Sequence, residues 1–316
     1  MLFRSVRFQQ VTGALLAKSH EDTAGFRWNA YLAANEVGAD PDVATIEDAA
    51  LQDWLQARAP SEMTLTSTHD TKRSEDARTR LMAISHRPDD FAALFERVRG
   101  LEGAEAVSAN DLWYLAQVAL AIWGEPEFET RLHDHMVKAL REAKVITNWT
   151  YPDEEAEARV LDLVPALAAD WARAGEPLDR LIALGEALSL CQTALKLAMP
   201  GIPDTYRGCE GAHIALTDPD NRRPVDLEAL SALFEAEGFA GQKARLTRAL
   251  LQVRAARPDL FGAAPVTVAR EGRALVLRRH SDGGMLQVLC DPTGGVQAVG
   301  TLVEEALPGV RVDLIA

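Results

Sequence analysis

Three side chains in the stretch Thr64–Asp76 (TLTSTHDTKRSED) could do chemistry together: His69, Asp70 and Lys72. An acid, a base and a histidine packed into four residues are unusual for a simple turn, and such groups can serve in acid–base chemistry. Before them, Met63, Leu65 and the threonines form a short β-branched and apolar run that reads as a strand. After them, Ala77, Leu81 and Ile84 recur at helical spacing. The three groups therefore fall where a strand hands over to a helix. In a parallel α/β sheet or barrel that is the carboxyl end of a strand, where active sites are built. A second reading fits the same spacing. Ser, Thr and Asp are common helix N-caps, and acids such as Glu75 and Asp76 suit the positive end of a helix dipole.

Other polar clusters repeat the pattern. Val11–Ala17 is an apolar run that predicts a buried strand. Lys18, Glu21 and Asp22 follow it, and Phe26–Leu32 predicts a helix. Further on, Leu181–Leu197 predicts a helix and Ala198–Pro203 a strand. The loop Asp204–Glu210 then offers Asp204 and Tyr206, with Gly208 and Gly211 allowing a tight backbone. Asp218–Pro224 (DPDNRRP) is a turn by composition. Its Arg222 and Arg223 stand beside two aspartates and could hold the loop against a carboxylate.

The elements that must position these groups divide the chain into four stretches. Residues 1–86 read as part of a β/α barrel. Residues 87–180 are almost wholly helical, with apolar faces such as Phe91, Leu94, Phe95, Val98 and Leu112, Leu115, Val118, Ile122. Residues 181–257 return to the barrel and end in a basic amphipathic helix, Gly241–Arg257, expected at the surface. Residues 258–316 carry β-branched, alternating runs (Val266–Val268, Ala274–Arg278, Met285–Leu289, Val310–Leu314) separated by Gly-rich turns, which predicts an antiparallel β-domain. A helix over Thr45–Arg58 precedes the His69–Asp70 corner. Trp113, Trp123, Trp149 and Trp171 sit at helical spacing and read as core rather than as a ligand-stacking platform. His133 and His135 are two apart on a helix and point different ways, a poor metal pair.

The 316 residues carry a formal charge of −14, which argues against a nucleic-acid partner and suits a neutral substrate. Cys191, Cys209 and Cys290 are few, odd in number and widely spaced, which points to a reducing compartment. The amino end has no apolar run of signal-peptide length, and the most apolar helix, Leu112–Trp123, is too short to span a bilayer. The expectation is a cytoplasmic protein with no membrane contact and no cofactor or metal.

The wording of the segments says more than their spacing. STHDTKRSEDARTRL resembles the fourth conserved region of the α-amylase superfamily, in the variant of the maltooligosyltrehalose synthases. RFQQVTGALLAKSHEDTAGFRWNAYLAANEVGADP (Arg7–Pro41), SLCQTALKLAMPGIPDTYRGCE (Ser189–Glu210) and LTDPDNRRPVD (Leu216–Asp226) resemble further segments of that family, in family order. Ser19-His20 stands where Gly-Val is usual there, and Gly25 and Trp28 where tyrosines are common.

The resemblance implies the carboxyl-terminal part of a TIM-type barrel enzyme. It would convert the terminal α-1,4 bond of a maltooligosaccharide to an α,α-1,1 trehalosyl end. Asp70 would be the third carboxylate, stabilising the transition state. His69 would bind the same sugar and Lys72 the neighbouring glucose. Lys18, Glu21, Asp22, Asp204, Tyr206 and Arg222 would line the cleft. The family's nucleophile and acid/base lie on earlier strands, so a missing amino-terminal half-barrel is an expected partner. The other readings are a non-catalytic glucan-binding or assembly scaffold, and another α-amylase-like transferase or hydrolase.

Overall fold

A computed structural model describes residues 2–16, 19–262, 264–294, 299–303 and 305–315. It resolves into two compact units. One comprises residues 1–44 and 88–178, the other residues 45–87 and 179–316.

The first unit is helical. Helices Pro88–Arg99, Ala109–Ala121, Phe128–Ala143, Glu154–Leu161 and Leu163–Trp171 bury Phe91, Leu94, Leu115, Val118, Met136, Leu167 and Trp171. Local chemistry starts several of them. Ser108 accepts the Asp111 N–H at 3.1 Å, and Asp153 accepts that of Ala156 at 3.0 Å. Phe91 and Phe95 meet Trp113 edge-on, and Trp123 packs on Phe128 and Trp171; Trp171 is buried and Trp113 and Trp123 are half-buried against these apolar partners. Trp149 differs. It is exposed, with the Arg141 guanidinium over its ring.

Two expected elements of this unit take other forms. The strand expected over Val11–Ala17 is instead the end of a helix, Leu2–Leu16, with Val11 exposed. Among the described residues nothing pairs with that segment as a strand, and a helix satisfies its own backbone groups. The helix expected over Phe26–Leu32 shrinks to a single 3-10 turn, Ala24–Phe26. Gln117 explains the change. Its side chain accepts the Leu32 N–H (2.9 Å) and donates to the Asn29 carbonyl (2.9 Å), replacing helix bonds. Asn35 donates in the same way to the carbonyls of Gly25 and Trp28, each at 2.7 Å.

The second unit holds all the strands among the described residues. β1 (Met63–Thr64) and β2 (Ile202–Pro203) pair in parallel, with Met63 opposite Ile202. β3 (Val266–Glu271), β4 (Ala274–Ser281), β5 (Gly284–Cys290) and β6 (Val310–Ile315) form an antiparallel meander, at the places the alternating pattern predicts. Gln52, on helix Asp48–Ala57, acts as a one-residue strand along β3. It donates to the Val266 carbonyl (3.0 Å) and accepts the Val268 N–H (2.6 Å), which blunts that edge. Leu55, Leu190, Leu246, Leu250, Leu277 and Val288 share one core that joins the helices to the sheet.

Helix Glu176–Ala198 runs through this unit. It is long and apolar enough to cross a bilayer, unlike the shorter helix singled out in the sequence. Two-thirds of its apolar window is buried within the fold, which is the signature of a core helix apolar on every side. Gly185 allows its close approach to helix Glu75–His86: a Cβ there would lie 2.8 Å from the Arg80 Cα.

Candidate active-site loop and its buried support

β1 ends at Thr64, and helix Glu75–His86 begins only after an irregular loop. The Asp204 N–H bonds the Thr64 carbonyl at 2.9 Å, so the ends of β1 and β2 are held side by side. The loop is built by threonines. The Thr68 hydroxyl accepts the N–H groups of Asp70 and Thr71, each at 3.1 Å, and the Thr71 hydroxyl donates to the Thr68 carbonyl at 3.0 Å. His69 and Asp70 stand at the tip with side chains 67% and 43% exposed, and His69 Nε2 lies 3.7 Å from Asp70 Oδ2. Both are presented to solvent at the carboxyl end of a parallel strand, as the spacing predicts.

The cap function falls to a different residue. Ser74 is the N-cap, with its hydroxyl accepting the Ala77 N–H. The same hydroxyl donates to the His213 carbonyl (2.6 Å) and accepts the Ala215 N–H (2.9 Å). The N-cap of this helix is therefore Ser74.

The other named residues are distributed as follows. Lys72 is 3% exposed, so its stem lies in the interior. Tyr206 donates its hydroxyl to the Asn221 carbonyl at 3.3 Å. Arg222 and Arg223 face acids of their own turn, Asp218 at 3.9 Å and Asp220 at 3.1 Å. Glu21 and Asp22 belong to the helical unit, in the short helix Ser19–Asp22, and are half-buried. Lys18 lies outside the described residues. His135 is buried against the Tyr114 hydroxyl at 2.8 Å, while His133 faces outward. Among the described residues no group of His, Cys, Asp or Glu is placed to hold a metal ion.

Two features of the site escape a reading of spacing. The first is Asn221. Its amide donates to the carbonyls of Thr68 (3.2 Å) and His69 (3.1 Å) and pins the loop tip from the 3-10 turn Asp220–Arg222. Only its place beside Arg222, in a polar turn, marks it in the sequence.

The second is a buried ionic cluster at the acids that the sequence marked only as suited to a helix dipole. Glu75 and Asp76, in the first turn of the helix, are each 1% exposed. Lys243 is fully buried and points its ammonium at Glu75 Oε1 (2.7 Å) and at both carboxylate oxygens of Asp76 (2.8 Å each). Lys196 donates to Glu75 Oε2 (3.0 Å) and to the Thr66 hydroxyl (2.9 Å). Thr66 in turn donates to Glu75, Ser189 donates to Asp76, and the His213 N–H bonds Asp76 Oδ2 at 2.8 Å.

Burial alone would raise the Glu75 pKa, but Lys243 and Lys196 outweigh it and hold the group at about 2. Burial likewise opposes the charge on Lys243, and Asp76 and Glu75 overcome it and raise its pKa above the ordinary value. Nearby, burial pushes the Cys209 thiol up to about 12 and the His213 imidazole below its usual value. All three cysteines are buried and unbridged. Lys243 corrects the sequence reading of helix Gly238–Ala256 as a basic surface helix. That helix turns a lysine inward because two acids await it.

Chemically, the arrangement offers one exposed carboxylate beside an imidazole on a firmly tethered loop. It can bind sugar hydroxyls and favour a neighbouring positive charge.

No protein-family model matches the chain. It is 36% identical over 273 residues to a Mycobacterium tuberculosis protein assigned as a maltooligosyl trehalose synthase, spanning 81% of this chain and 34% of that protein. A crystal structure of maltooligosyl trehalose synthase superposes with a TM-score of 0.86 at 28% identity, covering 98% of this chain and 47% of the other. The maltooligosyltrehalose synthase of Arthrobacter ramosus superposes with a TM-score of 0.77 at 32% identity, covering 90% and 39%. The chain thus spans between a third and a half of the length of these relatives.

Proposed function

We propose, from its kinship with the maltooligosyltrehalose synthases of the α-amylase superfamily, that this chain supplies the third carboxylate of a glucan-isomerising active site. The observation that carries the reading is the exposed Asp70, on a tethered loop at the carboxyl end of a parallel strand. β1 and β2 are then two strands of a barrel whose remaining strands come from a segment the relatives carry ahead of the matched region. Met63, Leu65 and Ile202 are about half exposed on this pair and would be covered by that segment. The location we infer is cytoplasmic, as for an enzyme of glucan metabolism.

The reaction follows from the chemistry of retention. Cleaving an α-1,4 bond and reforming an α bond requires a nucleophile and an acid/base, about 5–5.5 Å apart. In this reading both come from the absent segment. Asp70 binds the hydroxyls of the transferred sugar and stabilises its oxocarbenium-like state, and His69 bonds the same ring. The freed glucose turns and attacks through its anomeric hydroxyl, giving the α,α-1,1 end. Lys72, Asp204, Tyr206 and Arg222 stay candidates for holding that glucose and the adjoining chain, and the family resemblance adds Lys18, Glu21 and Asp22. Retaining the glucose while excluding water separates isomerisation from hydrolysis.

The test has two arms. The chain incubated alone with maltohexaose should give no trehalosyl product, since Asp70 cannot serve as nucleophile, acid and stabiliser at once. Supplied with the upstream segment, it should turn over, and Asp70→Asn should lower kcat on the order of a hundredfold. Turnover by the chain alone, or full activity of Asp70→Asn, would overturn the assignment. In the active assembly, Lys72→Ala should raise the share of free glucose. An unchanged ratio removes Lys72 from the acceptor site.

A further inference from the structure

We infer that the buried cluster of Lys196, Glu75, Lys243 and Asp76 positions the loop that carries His69 and Asp70, with the two lysines as positioning residues. The consequence for catalysis rests on the proposed role of Asp70. The structural claim does not.

The case begins with the chemistry of the lysines. An ammonium has three donors, and Lys243 directs them at three carboxylate oxygens, with its side chain wholly out of water. Cations near a helix N-terminus oppose the dipole, and desolvating two ion pairs costs what apolar packing would not. If stability were the sole product, leucines or methionines at these places would serve at least as well. What charges add over apolar groups is direction. Each carboxylate oxygen here has a named partner, so the carboxylates of Glu75 and Asp76 have one orientation.

That orientation is passed to the loop at both ends. At its start, Glu75 is bonded by the Thr66 hydroxyl, and the Glu75 N–H donates to the Ser67 hydroxyl at 2.8 Å. Lys196 reaches the same Thr66. At its end, Asp76 Oδ2 takes the His213 N–H, and the segment 213–215 holds Ser74 by its hydroxyl and by its N–H, which bonds the Ala215 carbonyl at 2.8 Å. Lysines from two helices, Glu176–Ala198 and Gly238–Ala256, thus fix the stem, and Asn221 fixes the tip.

The experiment separates positioning from stability. The full chain is made as Lys243→Met with Asp76→Asn, which removes one charge of each sign and leaves neither unpaired. The readouts are thermal unfolding, amide exchange at Asp70 and Thr71, and the His69 ring resonance by NMR. None needs a sugar, so failure of the glucan reading leaves them intact. We expect a folded protein whose Asp70 and Thr71 amides exchange about tenfold faster and whose His69 resonance moves toward that of a free histidine. Unchanged exchange and an unchanged His69 signal in the folded variant would overturn the inference and leave the cluster as a support for the helix alone. Should that variant not fold, Lys196→Gln decides. It keeps Glu75 paired with Lys243 and should speed the same amides about threefold, and no change there would equally overturn the inference. In an assembly active by the test above, the folded double variant should lower kcat with little change in KM, and a loss confined to KM would count against positioning.

Discussion

Each unit contains an irregular segment held in place by buried polar side chains, and the two use different chemistry. In the helical unit, residues 23–39 are held by neutral amides: Gln117 takes Leu32 and Asn29, and Asn35 takes Gly25 and Trp28. In the other unit, the loop between Thr66 and Glu75 is held by two carboxylates and two ammonium groups. An amide costs less to bury than a charge and loses less when a partner goes. A charge is costly to bury and fails badly when its partner goes. The comparison suggests that the neutral anchors shape a segment, whereas the charged cluster fixes an orientation.

Removing one buried charge should cost the fold most. Lys243→Met leaves Glu75 and Asp76 short of a buried cation and should destabilise the second unit by about 3–5 kcal/mol. Chemical denaturation followed by a probe in each unit would measure it. A loss below about 1 kcal/mol would show that water or a rearranged Lys196 replaces the missing charge. Acid attacks the same pair more gently. Glu75 is depressed from 4.5 to about 2, so its contribution is complete above pH 4.5 and is lost as the pH falls toward 2. A shift of that size corresponds to about 3 kcal/mol. Lys243, raised above 10.5, keeps its contribution below that value and loses it only as the pH climbs through the higher one. Unfolding free energies at pH 6, 4 and 3 should therefore decline for the second unit, and a flat profile would mean that Glu75 keeps an ordinary pKa.

The neutral anchor should respond less. Gln117→Leu keeps the volume but leaves the Leu32 N–H and the Asn29 carbonyl without their bonds, for about 1–3 kcal/mol. That loss should be the same at pH 6 and pH 3. The helical unit has its own acid-sensitive element, Glu157, held low by its bonds from Arg141 at 2.8 Å and further by Thr147, so the Gln117 effect must be read as a difference from the parent protein at each pH.

How much of this was legible in the sequence depends on where each side chain finds its partner. The β-meander and the helices of 88–171 follow from periodicity, because their partners are neighbours in sequence or repeat along an element. The Asp70 corner was legible as a strand-to-helix junction, and its family wording named it. The inward turn of Lys243 was not, since its acids lie 167 and 168 residues away. A lysine among Arg245, Arg248 and Arg254 reads as surface until the fold brings Glu75 and Asp76 beneath it. Gln117 hid for the same reason. It captured backbone groups 85 and 88 residues away, and so converted an apolar stretch expected to be helical into an irregular one.

The smallest stability effect belongs to the residue with the largest proposed function. Asp70 is 43% exposed, and the exposed His69 imidazole lies 3.7 Å from its carboxylate. Such pairs contribute about 0–1 kcal/mol, and an aspartate-to-asparagine change there keeps the volume. The loop itself is held by the Thr68 hydroxyl, Asn221 and the ionic cluster, none of which needs the Asp70 carboxylate. Asp70→Asn should therefore change stability by less than about 0.5 kcal/mol and leave the exchange of the Thr71 amide as it was. In the same samples, any chemical-shift response of the loop to added maltooligosaccharide should weaken, because an amide is a poorer hydroxyl acceptor than a carboxylate. A strongly destabilised Asp70→Asn would place the carboxylate among the groups that hold the loop, and the division between buried charges that position and an exposed charge that binds would fall.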